Sequence, residues 1–222
     1  TPKPSSAASD VYKRQGYRDQ LQPDAVIHMN GTRVVAEGKT LYEHTMDKKL
    51  LKRLLAFGKE RGIALGVTME NGDYYTAPEE VERIDVLRWG ETSRHFEDPM
   101  KLLELPVRTL AYIGGPDRVR ELEEHFPECK FFMFAGKTGA DVVENEASKA
   151  EGLKRLCEYY GMDLSQTVAF GDSMNDFEIV SRAGIGIAMG NSVEELKAAA
   201  DYVTDPIDRD GVWNACRHFG WI

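Results

Sequence analysis

Several residue types are scarce in this chain, and each shortage argues against a class of function. There are only three cysteines, Cys129, Cys157 and Cys216, and no C-x-x-C pair. Thiols this far apart read as reduced and partly buried, in keeping with a cytoplasmic protein, and not as a disulfide framework or a zinc knuckle. The five histidines, at 28, 44, 95, 125 and 218, show no metal-ligand spacing. No apolar run approaches the ~18 residues a membrane helix needs, and no hydrophobic leader follows Lys3. Basic residues are outnumbered, 28 Lys and Arg against 37 Asp and Glu, for a formal net charge of −9. That balance disfavours a nucleic-acid backbone or an anionic membrane as the main partner. No G-x-S-x-G is present to form a nucleophile elbow. The glycines at 184, 186 and 190 miss the G-x-G-x-x-G spacing and follow a helix pattern, which argues against a dinucleotide site.

What remains is an ordinary soluble globular composition, 42% apolar and 29% charged over 222 residues, enough for one large domain or two small ones. The opening TPKPSSAASDVYKRQ has no helix or strand periodicity. Residues 1–15 resemble an extraneous, disordered tail, and the protein proper is expected to begin near Gly16. AVIHM (25–29) reads as a short buried strand closed by the turn pair Asn30-Gly31, and 33–44 as a hairpin around Gly38. Residues 47–62 form an amphipathic helix capped by Asp47, striped by Leu50, Leu51, Leu54 and Leu55, and stopped by Gly62. Two strands flank Asn71-Gly72, 79–104 shows no clear pattern, and a strand, a helix and two more strands follow through 145. Beyond 148 the pattern alternates strictly between helix and strand, the signature of a parallel sheet with helices on both faces. The expected organisation is therefore a core fragment over 16–40, an inserted α/β domain over 41–140, and the rest of the parallel-sheet core over 141–222.

The informative stretch is VAFGDSMND, residues 168–176, in which an apolar strand ends in Gly-Asp and a second acid follows behind an amide. Ligands of open parallel sheets sit beyond the carboxyl ends of the strands. Mg²⁺ takes hard oxygen ligands, commonly one or two carboxylates completed by water and phosphate. Asp172 suits direct ligation, Asp176 falls within reach of the same ion or of a nearby cation, and Asn175 offers an uncharged donor to a phosphate oxygen. Asn and Asp are also favoured helix caps, but capping accounts for one of these residues and not for the cluster. Upstream, Ser148 and Glu151 have capping-box spacing, which places Lys149 in the first turn of a helix. A cation there opposes the helix dipole unless an anion lies beside it.

EASKAEGLKRL, VAFGDSMNDFEIVSRAGIGIAMGNS and KAAADYVTDPIDRDGV together resemble the last third of the Cof-type hydrolases, members of the haloacid dehalogenase-like (HAD) phosphatases. AVIHMNGT is similar to the core strand that precedes that family's cap. The resemblance implies an α/β fold, a Rossmann-like parallel-sheet core with an inserted α/β cap. It also implies Mg²⁺-dependent hydrolysis of small sugar- or cofactor-like phosphate esters through an aspartyl phosphate. On that resemblance Lys149 and Asp176 are catalytic, Asp172 and Asp176 serve the metal, and Asn175, Ser173 and Asn30 meet the substrate. A phosphosugar mutase and a non-catalytic phosphate-binding protein are the alternative readings.

The family's nucleophile motif, D-x-D-G-T, does not occur in the sequence. Asp208-Arg209-Asp210-Gly211 is a partial match that follows Pro206 and leads into Val212. Thr68 follows an apolar run, as the family's hydroxyl residue does, but no Gly-Arg comes after it, and its surroundings suit the cap. The expectation is an incomplete core, truncated ahead of Gly16, and a chain inactive as it stands.

Overall fold

The computed structural model describes residues 20–134 and 136–222; the expected tail at 1–15 lies outside the described residues. Two units emerge, one comprising Ala25–His44 with Glu146–Ile222 and the other built on Thr45–Asn145.

The first unit opens with β1 (Ala25–His28), β2 (Arg33–Ala36) and β3 (Lys39–Glu43), an antiparallel sheet in that order. Glu37 and Gly38, both at positive φ (49° and 76°), make the two-residue link between β2 and β3, the backbone that matches the twist of a tight hairpin. AVIHM was expected as a buried strand of the core. It is instead half-buried and pairs with β2 from Ala25↔Ala36 to His28↔Arg33. The short link through Met29–Gly31 leaves no length for a parallel crossover.

The second unit follows without interruption, with α1 (Lys48–Arg61), β4 (Ala64–Met69), β5 (Gly72–Tyr75), α2 (Pro78–Trp89), β6 (Leu110–Ile113), α3 (Asp117–His125), β7 (Cys129–Met133) and β8 (Gly139–Glu144). Its strands form a five-stranded sheet in the order β5-β4-β6-β8-β7, antiparallel at each pairing. Helix α1 behaves as its pattern requires. The Asp47 carboxylate accepts from the N–H groups of Lys49 (2.9 Å) and Leu50 (3.0 Å), Gly62 closes the helix at φ 61°, and the four-leucine stripe is buried. Helix α2 lay in the unpatterned stretch. Val81 and Ile84 are buried while Val86, Leu87 and Trp89 face solvent, so its apolar residues never trace one face.

The chain then returns to the first unit with α4 (Lys149–Tyr160), β9 (Val168–Gly171), α5 (Phe177–Arg182), β10 (Ile185–Ala188), α6 (Glu194–Ala199), β11 (Tyr202–Val203) and α7 (Gly211–His218). The three strands pair in parallel in the order β11-β10-β9. Ala169, Val180, Ala188 and Leu196 form a small core between this sheet and α5 and α6. Helix α4 packs on the first hairpin, where Gly152 lies so close to Ile27 that a Cβ would come within 2.6 Å of its side chain. Arg155 lays its guanidinium 3.7 Å above the Tyr42 ring, a cation–π contact between α4 and β3.

The Thr45–Asn145 unit buries a charged cluster. Arg94 donates from Nε and Nη2 to both Asp85 oxygens (2.6 and 3.1 Å) and from Nη1 to Asp73 and Thr68 (2.9 Å each). Its side chain is 11% exposed and those of Asp73 and Asp85 are 7% exposed. Burial alone would loosen the Arg94 proton, but the bonds to Asp85 and Asp73 outweigh it and hold the proton more firmly than usual. Through Arg94 the 94–97 segment is fastened along β5, where Asp73 N–H donates to the His95 carbonyl (2.7 Å) and Glu97 N–H to the Asp73 carbonyl (3.0 Å). This contact covers the edge of the sheet. Asp85→Ala should lower unfolding stability by about 3 kcal/mol, because it strips a buried guanidinium of its bidentate partner. Urea denaturation checks this, and a loss below about 1 kcal/mol, the range of an exposed pair, would show the cluster to be energetically slack.

Candidate active site

Strand β9 delivers the chain to the carboxyl edge of the parallel sheet at Gly171, where the backbone folds back on itself. A Cβ on Gly171 would stand 2.6 Å from Asp176 Cβ and 2.8 Å from the Val180 side chain. Only glycine therefore lets the short 3-10 turn Met174–Asp176 settle over the strand tip. Asp176 is 7% exposed there, and both of its oxygens are engaged. Oδ2 accepts from the N–H groups of Asp172 (3.1 Å) and Ser173 (3.4 Å), and Oδ1 accepts from Lys149 Nζ at 2.5 Å.

Lys149 reaches this point from the first turn of α4. Ser148 caps that helix by accepting from the Glu151 N–H at 3.2 Å. The reciprocal half of the expected capping box is not made, because Glu151 Oε1 instead accepts from Arg182 Nη1 at 2.9 Å. A surface arginine on the neighbouring helix thus outcompetes the helix's own N-cap amide for the carboxylate. The Lys149 ammonium, set against the helix dipole, is compensated by the Asp176 carboxylate.

The amide group of the site is equally tied. Ser173 Oγ donates to Asn175 Oδ1 (2.5 Å), and Asn175 Nδ2 donates to Asn30 Oδ1 (3.1 Å). Asn30 sits in the turn between β1 and β2, buried at 8% exposure. A continuous chain of contacts therefore runs from Lys149 through Asp176, Ser173 and Asn175 to Asn30. Asp172 stands apart from it. Its backbone N–H is used, while its exposed carboxylate has no hydrogen bond or ion pair among the described residues. Asp172 and Asp176 lie on the wall of a hollow of about 230 Å³, lined also by Phe170, Met189, Asn191 and Val212.

Among the described residues, no group of three His, Cys, Asp or Glu side chains could hold a metal ion. The donor set accommodates one hard cation through a single exposed carboxylate, Asp172, provided that water and a ligand's own oxygens complete the shell. Both Asp176 oxygens already accept hydrogen bonds within the protein. In the partial motif, Asp208 and Arg209 lie in an exposed 3-10 turn (Ile207–Arg209), Asp210 follows in the left-handed region (φ 57°), and Gly211 is buried at the start of α7. Thr68 belongs to the Thr45–Asn145 unit, where its hydroxyl donates to Asp73 Oδ1 at 2.6 Å and takes the Arg94 bond already described. The lining residues Met189 and Asn191 belong to the AMGN stretch that helps carry the family resemblance, but no role is assigned to them from sequence. Their position just after β10, at the same sheet edge as Asp172, is the signal that could have found them.

Comparison with known proteins fits this geometry. The family model for haloacid dehalogenase-like hydrolases matches residues 3–216. YkrA of Bacillus subtilis (strain 168) is 30% identical over 209 residues, covering 92% of this chain and 79% of that protein. The 5-amino-6-(5-phospho-D-ribitylamino)uracil phosphatase YcsE of the same organism is 42% identical over 85 residues, 38% of this chain and 33% of that one. Among solved structures, a HAD subclass IIB sugar phosphatase superposes with a TM-score of 0.80 at 27% identity, covering 94% of this chain and 80% of that chain. An α/β core carrying a lysine–carboxylate pair and an exposed aspartate at the tip of a parallel strand, matched by a family model over nearly its whole length, places this chain among the haloacid dehalogenase-like hydrolases.

Proposed function

We propose that the site is the phosphate-binding half of a Mg²⁺-dependent phosphatase that acts on small, sugar-like or cofactor-like phosphate esters. The observation that carries this reading is the Lys149–Asp176 contact at the strand tip, with the exposed Asp172 carboxylate beside it. Relatives support the substrate class, since one is named as a sugar phosphatase and another for a phosphorylated ribityl compound. When bound, a divalent ion would supply positive charge to a phosphoryl group held against Asp172.

The chain's own residues perform the remaining tasks. Lys149 offers an ammonium to a phosphoryl oxygen, and Asp176 holds that ammonium in position. The Asp176 carboxylate also draws the Asp172 and Ser173 amides inward, which turns the Asp172 side chain out toward the ligand. Asn175 contributes an N–H donor. The nucleophilic aspartate of such a reaction is not among these residues. The Thr45–Asn145 unit is the inserted cap on this reading, and its side chains set substrate choice. The acidic charge balance and the reduced cysteines favour the cytoplasm as the site of action.

Two measurements test these assignments. Titrated with inorganic phosphate, the chain should bind in the presence of Mg²⁺ and not in its absence, and Asp172→Ala should abolish the metal-dependent part. With a generic phosphate ester the chain alone should show no turnover. Magnesium-dependent turnover that disappears in Asp172→Ala would disprove that inactivity. Separately, Asp176→Ala should cost about 2 kcal/mol of unfolding stability, as it removes a charged acceptor from Lys149 and the loop amides. Asp176→Asn, which still accepts from the amides, should cost less, and equal losses would show that the loop bonds contribute nothing.

A further inference from the structure

The bond between Asn175 and Asn30 joins the substrate loop to a turn far upstream in the sequence, and it fixes more than position. A side-chain amide can rotate by half a turn about its last torsion, which has a broad two-fold profile. Here Asn30, whose Oδ1 can only accept, selects one orientation. Ser173 Oγ donates to Asn175 Oδ1, and Asn175 Nδ2 donates to Asn30 Oδ1. Turned over, Asn175 would set its own oxygen against Asn30 Oδ1, whereas the Ser173 hydroxyl can donate or accept and serves either orientation. The orientation observed leaves Asn175 with one further N–H to present, the polarity that a phosphoryl oxygen requires.

Asn30 is itself placed by an unusual backbone. Met29, Asn30 and Gly31 follow one another at φ 47°, 52° and 91°, a run that only glycine and, at some cost, asparagine tolerate readily. A Cβ on Gly31 would lie 1.9 Å from the Ser148 carbonyl oxygen. The turn therefore rests directly on the N-cap of α4, one residue from Lys149. One backbone contact sets the distance between the helix that carries the ammonium and the amide that aims Asn175. Strain of this kind persists where the surrounding structure over-determines it, and it collects at functional sites.

We propose that Asn30 is a positioning residue that fixes Asn175 as an N–H donor beside Lys149 and does not itself touch the phosphoryl group. This inference rests on the phosphate-site reading above. It replaces the expectation that Asn30 meets substrate directly.

Asn30→Gly tests it, since glycine keeps the left-handed backbone accessible while deleting the acceptor. Asn30→Asp retains both the acceptor and tolerance of that backbone. In ¹⁵N–¹H spectra of the free protein, the Asn175 side-chain NH₂ pair is assigned by its loss in Asn175→Ala. It should keep its wild-type shifts in Asn30→Asp and move toward free-amide values in Asn30→Gly. With inorganic phosphate and Mg²⁺, Asn30→Gly should weaken binding about tenfold, the scale of one hydrogen bond to a charged group. The double variant Asn30→Gly/Asn175→Ala should bind no more weakly than Asn175→Ala alone. Additive losses would show Asn30 contacting phosphate itself and would overturn the proposal. Unchanged Asn175 signals in Asn30→Gly would overturn it too, as would shifted signals in Asn30→Asp should the glycine variant fail to fold. The free-protein spectrum needs no ligand, so absence of phosphate binding by the wild-type chain counts against the site reading alone.

Discussion

The Asp176 carboxylate, buried at the end of a parallel strand, faces two kinds of donor. On one side it receives an ammonium from the start of another helix, and on the other two backbone amides of its own loop. A buried carboxylate without such partners would be costly, and an ammonium in the first turn of a helix would be misplaced without it. Each group supplies the reason for the other. Gly171 makes the arrangement possible, because any side chain there would collide with Asp176. The outward turn of Asp172, the order of Ser173 and Asn175, and the approach of α4 to the strand tip all follow from that one contact.

The site works against the average electrostatics of the molecule. With a formal net charge of −9, the protein as a whole repels anions, and one lysine already paired with a carboxylate adds little attraction for a phosphate dianion. On the proposed reading, a hard cation on Asp172 would reverse the local sign, and the donors at Lys149 and Asn175 would give the bound group its direction. The Thr45–Asn145 unit solves a different problem with similar parts. There Arg94 is held by Asp73 and Asp85 so that a loop lies along a sheet edge, and the buried charges fasten structure.

Where periodicity was strong, the elements lie close to where the pattern puts them. The four-leucine helix with its Asp47 cap and Gly62 stop is one instance, and the alternation after 148 is another. Helix α2 escaped because Val86, Leu87 and Trp89 face solvent while Val81 and Ile84 are buried, and a helix without an apolar stripe has no period to detect. The Ser148–Glu151 capping box formed only by half, since sequence spacing cannot register Arg182 arriving from a neighbouring helix. Met189 and Asn191 were given no role because they line the hollow only once β10 is laid beside β9.

Local chemistry alone determined much of this protein: an acidic, cysteine-poor α/β chain in which an apolar strand ends in Gly-Asp and a lysine opens a helix. Those features depend on neighbours a few residues apart, and side-chain size and backbone preference act at that range. Tertiary structure decided which groups meet. Lys149 and Asp176 are 27 positions apart, and Asn30 and Asn175 are separated by 145. Such pairs leave no periodic trace along the chain, because contact between them is set by how sheet and helices pack. It was packing, too, that turned an Asn-Gly turn signal into the support for a distant amide.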